Sequence, residues 1–147
     1  MKIVLYIITV LIFGMSISLV QAAEYEVRML NRGAKGVMVF EPDLIKADIG
    51  DTVRFVPTDK GHNVQSIKGM LPVGVEAFKS PFNEEYVLKL TDEGIYGVKC
   101  APHYPMGMAA LVISGIPKNI ENALEVKNPP KVKKLFMQLI SQISEAN

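Results

Sequence analysis

The chain contains a single cysteine and two histidines. Cys100 and His103 stand together in the stretch GVKCAPHYPMGMAALVIS, residues 97–114, and Met108 follows them. The spacing C-x2-H-x4-M puts a thiol, an imidazole and a thioether on one loop punctuated by Pro102, Pro105 and Gly107. Thiolate and thioether are soft ligands that suit Cu(I), and imidazole accepts copper in either oxidation state. Zinc would use the cysteine and the histidine but has little use for a thioether, and its sites more often carry two or more cysteines. Two histidines and a cysteine in a trigonal set, with a long axial methionine, form the copper geometry of electron transfer. That set needs a second histidine, and the chain offers one candidate, His62 in DKGHNV. Taken singly, a buried inert thiol, a surface histidine and a core methionine are ordinary fates. Taken together, the residue totals match the requirement, so His62, Cys100, His103 and Met108 are the candidate ligands of one copper ion. Met106 is read as a surface residue.

These side chains need a frame. Tyr25–Leu30, Val37–Phe40, Leu44–Ala47, Thr52–Val56, Glu85–Leu90, Ile95–Cys100 and Ala109–Ser114 read as short strands divided by turn residues, with NRGAKG (31–36) as one such turn. Eight or so strands at this spacing describe an all-β sandwich or barrel. In Ile95–Cys100, period two places Tyr96, Val98 and Cys100 on one face. Lys99 on the other face favours water, so Cys100 is expected to point inward at a strand end. His62 follows the strand ending at Val56 and a turn, which can bring it to the same end.

Beyond Gly115 the period changes. Ile120, Ala123 and Leu124 sit at helical spacing within Asn119–Lys127, and Asn128, Pro129 and Pro130 stop that helix. Val132, Leu135, Phe136, Leu139, Ile140 and Ile143 make one apolar stripe on a second helix, with Pro130 suited to its first turn. Such a stripe is expected to dock on the sandwich. The alternative is a basic membrane-surface helix using Lys131, Lys133 and Lys134.

The start of the chain has another purpose. Lys2, the apolar run Ile3–Phe13 and the ending Val20, Gln21, Ala22 describe a secretory leader. Cleavage is placed after Ala22, with Ala23 the next choice; an uncleaved anchor is the alternative, since residues 3–20 can just span a membrane with tilt. The expected organisation is a leader at 1–22 and a single domain at 23–147, with the sandwich to 115 and a helical extension over 116–147. Of 16 basic and 15 acidic residues, cleavage removes only Lys2, which leaves a formal charge of zero. With no tryptophan and no net positive field, nothing points to nucleic acid. An exported chain with one cysteine makes no internal disulfide, so burial or a metal must protect the thiol from oxidation.

The segments EYEVRMLNRG, MVFEPDLIKADIGDTVRF, HNV and CAPHYPMGM, with the helices after Gly115, resemble the cupredoxins, and among them the pseudoazurin subfamily, over essentially the whole mature chain. Plastocyanins share the loop spacing, so the loop alone does not separate the two. The resemblance implies a Greek-key β-sandwich of about eight strands with two C-terminal α-helices. It implies a type I copper centre on His62, Cys100, His103 and Met108, cycling between Cu(I) and Cu(II). It further implies a monomeric periplasmic electron carrier, not an enzyme, whose transient partners are nitrite reductases, c-type cytochromes or peroxidases.

Some second-rank residues also follow. Asn63 can offer its backbone N–H to the Cys100 sulfur or its side chain to the neighbouring loop, and Pro102 has no N–H to give. Met38, Gly61, Pro102, Pro105 and Met106 are expected to form an apolar patch around the His103 edge. Lys35, Lys60, Lys68, Lys79 and Lys99 are candidates to ring that patch and steer an acidic partner. Two other classes compete. A cysteine-nucleophile enzyme is disfavoured because its base normally lies far away in sequence and needs an orienting third residue. Copper storage or delivery is the closer alternative.

Overall fold

A computed structural model describes residues 21–144. The leader expected at 1–22 lies almost wholly outside the described residues. Eight strands form two four-stranded sheets. The first sheet has the order β2 (Gly36–Glu41), β1 (Glu24–Gly33), β4 (Thr52–Val56), β6 (Tyr86–Lys89); the second has β3 (Leu44–Ala47), β8 (Ala109–Ser114), β7 (Gly94–Lys99), β5 (Gln65–Ser66). The β1–β4 and β3–β8 pairs are parallel and the other neighbours antiparallel. The all-β sandwich read from the sequence is the fold observed.

Two differences bear on the site. β1 runs on through Asn31 and Arg32 to Gly33, and only Ala34 and Lys35 turn the chain into β2. The polar stretch NRG therefore belongs to a strand, because its pairing with β2 satisfies the backbone whatever its side chains prefer. β5 is only two residues long, too short for any periodicity to reveal; it pairs with β7, and Gln65 also bridges Lys79.

The core has two layers. Between the sheets, Val27, Met29, Phe40, Val53, Phe55, Leu88, Tyr96, Val98, Cys100, Met108, Ala110 and Val112 pack together. Phe40 and Phe55 meet edge to face with centroids 5.8 Å apart. On the outer side of the second sheet, Ile95, Leu111 and Ile113 pack against α1 (Ile120–Glu125) and α2 (Pro130–Ser144). From α2 come Val132, Phe136, Leu139, Ile140 and Ile143, all buried, with Leu135 half-buried beside them. The apolar stripe thus docks on the sandwich. β7 and β8 are in consequence buried on both faces, and the face of β7 that carries Lys99 is covered rather than wet. Lys99 itself lies with its ammonium 4.5 Å from the Tyr104 ring centroid, a cation–π contact. Gly97 permits this close layering, since a Cβ there would stand 2.7 Å from the Met70 Cβ.

Asn119 precedes α1 but does not cap it. Its Oδ1 accepts the Ile95 N–H at 2.6 Å and its Nδ2 donates to the Ile95 carbonyl at 3.0 Å, so it stitches α1 to β7. Among the described residues no helix is long and apolar enough to cross a membrane.

Candidate metal centre

The site is built at one end of the sandwich by two loops. The first follows β4 and carries His62. Asn83, from the loop before β6, holds it in place: the Asn83 Oδ1 accepts the Gly61 N–H at 2.6 Å, and the Asn83 N–H donates to the His62 carbonyl at 2.9 Å. The second loop joins antiparallel β7 and β8. It closes through the Cys100 N–H to the Met108 carbonyl at 3.0 Å and the Met108 N–H to the His103 carbonyl at 3.2 Å. Inside it Tyr104–Met106 make one 3-10 turn, ended by Gly107 at φ 105°, a left-handed conformation that glycine adopts without strain.

The donor atoms converge. His62 Nδ1 lies 3.7 Å and His103 Nδ1 3.5 Å from the Cys100 Sγ, and the two Nδ1 atoms are 3.2 Å apart. The His62 Nε2 faces the Asn31 Oδ1 at 2.8 Å, and Asn31 in turn donates its N–H to Asp59 Oδ2 at 2.7 Å. The amide oxygen holds the proton on Nε2 and leaves the Nδ1 lone pair aimed at the sulfur and at His103. His62, Cys100 and Met108 are fully buried, while His103 is half-buried. The Met108 side chain joins the same inter-sheet core as Cys100.

Burial holds both the Cys100 thiol and the His62 ring toward their neutral forms. Burial pushes the Cys100 thiol up, and the backbone N–H groups of Asn63 and His103 pull it partly back by donating to the sulfur. Burial, then the neighbouring His103, push His62 down against the opposing pull of Asp59, which keeps the imidazole in its neutral, ligating form. Two imidazole nitrogens and a buried sulfur face one another at 3.2–3.7 Å. Their separations suit donors about 2.0–2.3 Å from one shared metal ion. The residues present therefore fit a copper ion of the two-histidine, one-cysteine type.

The donor atoms of three of the four expected ligands, His62, Cys100 and His103, lie within 4.8 Å of one another, and Met108 closes the same loop through backbone hydrogen bonds to Cys100 and His103 and is buried in the same core. Asn63 fills both roles considered for it. Its backbone N–H reaches the sulfur, its Oδ1 accepts the Ala101 N–H at 2.9 Å, and its Nδ2 donates to the Ser80 carbonyl at 3.4 Å. Sequence reasoning missed Asn31, Asp59 and Asn83. Asn83 at φ 63° carried a faint signal, as asparagine is a favoured residue for that conformation.

Around the site, Gly61, Pro102, Pro105 and Met106 are exposed and Met38 is half-buried. A groove of about 430 Å³ opens beside Met106 between β2 and α2, lined by Val37, Met38, Leu135 and Lys131 among others. The lysines divide. Lys60 lies next to Gly61, Lys79 next to Ser80 and Lys99 next to Cys100, so these three border the ligand loops. Lys35 instead pairs with Asp43, its Nζ 2.7 Å from Oδ1. Lys68 is exposed in the turn after β5, next to Gly69, which faces Val126.

Comparison with known proteins gives concordant results. The family model of copper binding proteins, plastocyanin/azurin family, matches residues 27–114. A pseudoazurin of Paracoccus pantotrophus is 49% identical over 124 residues, covering 84% of this chain and 86% of that one. The crystal structure of pseudoazurin from Methylobacterium extorquens AM1 superposes with a TM-score of 0.79 at 47% identity, over 82% of this chain and 98% of that one. A pseudoazurin from a Sinorhizobium reaches a TM-score of 0.81 at 43% identity, over 85% and 99%.

Proposed function

The chain belongs to the plastocyanin/azurin family of copper-binding proteins, within its pseudoazurin branch, and from that premise we propose that His62, Cys100, His103 and Met108 ligate its single type I copper ion. As a member of that family it is a blue copper electron-transfer protein that acts with transient redox partners. The observation that carries the ligand assignment is the convergence of three buried or half-buried donor atoms, two Nδ1 and one Sγ, at 3.2–3.7 Å.

The copper, when bound, supplies a one-electron Cu(II)/Cu(I) couple. The chain supplies a cage that changes little between the two charges. Asn31 fixes the His62 ring, Asn83 fixes its backbone, and Asn63 joins the two loops. The N–H groups of Asn63 and His103 delocalise negative charge from the sulfur and so tune the potential. His103, the least enclosed ligand, provides the edge from which an electron leaves, between the exposed Pro102 and Pro105. The small apolar surface there suits a brief docking contact. The exposed Lys60 and Lys79 favour an acidic partner, such as a nitrite reductase, a c-type cytochrome or a peroxidase. Ligands pinned by backbone hydrogen bonds favour a carrier over copper delivery, which needs flexible exposed donors, and over a cysteine enzyme.

The mature protein is a periplasmic monomer that begins at Ala23. Supporting this boundary, the Ala23 N–H donates to Asp51 Oδ1 at 2.7 Å, its carbonyl accepts the Thr52 N–H at 2.9 Å, and β1 opens at Glu24.

Titration of the purified protein with Cu(II) tests the assignment. The expected result is an intense blue colour at one copper per chain, bleached and restored by reduction and oxidation and lost in C100S. A colourless protein with an alkylatable thiol would reject it, and rapid loss of copper to a mild chelator would favour delivery.

A further inference from the structure

We propose that the C-terminal helices brace the ligand loop through Tyr104 and Asn128, making both residues positioning residues for His103; this rests on the ligand assignment above. His62, Cys100 and Met108 are held by full burial, but His103 is only half-buried, so its restraint must come from its own loop. The His103 carbonyl is the hub of that loop, accepting the Met106 N–H at 3.0 Å and the Met108 N–H at 3.2 Å. The next residue, Tyr104, leaves the loop and reaches the α1–α2 connection, where its hydroxyl donates to Asn128 Oδ1. Asn128 is itself oriented, since its Nδ2 donates to the Val126 carbonyl at 3.0 Å, which leaves the oxygen for Tyr104.

Two further contacts point the same way. Lys99, the residue before Cys100, places its ammonium over the Tyr104 ring. At the other end of the loop, a Cβ on Gly107 would stand 3.4 Å from the Cβ of Lys131 in the first turn of α2. Tyr104 is thus clasped between the strand that delivers Cys100 and the connection that follows α1. All of the helical side of this clasp lies beyond residue 114, where the match to the shared copper-binding core ends. An element outside that core therefore holds the loop that carries three of the four assigned ligands. The benefit to an electron carrier is a ligand loop locked by packing, so that His103 keeps one position in both oxidation states.

Amide hydrogen exchange of the copper-loaded, reduced protein tests this. Y104F keeps the ring over Lys99 and removes only the hydroxyl; N128A removes its acceptor; N128D keeps an oxygen in place. In Y104F and N128A the amides of Met106, Gly107 and Met108 should exchange about fivefold faster, as loss of one hydrogen bond implies, while β1 and β4 amides hold their rates. The ratio of the visible bands of the oxidised protein should shift in the same two variants. N128D should match the wild type in both readouts. Unchanged loop exchange in Y104F, acceleration spread over the whole sandwich, or N128D behaving like N128A would overturn the proposal. If the wild type takes up no copper, the ligand assignment fails instead, and the amide comparison on the metal-free chain still decides the brace.

Discussion

Asn31 Oδ1 lies 2.8 Å from His62 Nε2 across 31 residues of chain, and it decides which nitrogen of that ring is free. Removing the amide in N31A leaves the tautomer and the ring angle unset. Loss of such an orienting partner commonly costs 10–100-fold in metal affinity. Competition with a copper chelator should show a fall of that order, with the fold intact by circular dichroism. An affinity equal to wild type would mean that burial alone orients His62.

The sulfur of Cys100 already receives the N–H groups of Asn63 and His103. Pro102 stands between Cys100 and His103 and donates none. P102A adds an N–H and opens the exposed loop to water near the sulfur, which weakens thiolate donation to the oxidised state. The reduction potential should rise; voltammetry returning an equal or lower value would contradict this.

Asp51 is buried and accepts the Ala23 N–H at 2.7 Å and the Asp48 N–H at 2.9 Å. Cleavage behind Ala22 would turn the first of these donors into a charged ammonium. Hydrogen bonds to charged groups contribute about 1.5–3 kcal/mol, so D51A in the mature protein should lose roughly 2 kcal/mol in urea unfolding. N-terminal sequencing of the exported protein should begin at Ala23. A mature chain starting elsewhere, or a D51A variant of wild-type stability, would remove this account of the boundary.

Lys60, Lys79 and Lys99 border the ligand loops, whereas Lys35 is paired with Asp43. Electron transfer with an acidic partner should slow steeply as salt rises, because exposed charges are screened beyond about 8–10 Å. K60Q and K79Q should each lower the bimolecular rate and flatten the salt dependence. A rate indifferent to salt would leave docking to the apolar patch alone.

Phe136 is 3% exposed and sits in the layer between α2 and the second sheet. F136A should destabilise the protein by about 3–5 kcal/mol, seen as a lowered melting temperature. The blue colour at room temperature should survive, since the inter-sheet core around Cys100 does not include Phe136. Loss of colour without loss of stability would tie the helix layer to the metal more directly than packing allows.

Much of the site was legible because its chemistry is scarce. With one cysteine and two histidines in the chain, composition left His62 as the sole partner for the Cys100–His103 loop, whatever the fold. The helices were legible through the 3.6-residue stripe from Val132 to Ile143, and the long strands through period two. What surrounds the ligands was not. Asn31, read as part of a turn, lies in β1, and its bond to His62 depends on the pairing of β1 with β2 and β4. Asn83 and Asp59 serve the site through contacts with residues distant in the chain. Lys99, assigned to water by its charge, lies over Tyr104 because α1 and the segment around Met70 cover that face of β7. Residue type and spacing are local properties, so they fix which donors exist and which face of an element is apolar. Hydrogen-bond partners and the cover over a face depend on which elements meet in space, and only the tertiary fold decides that.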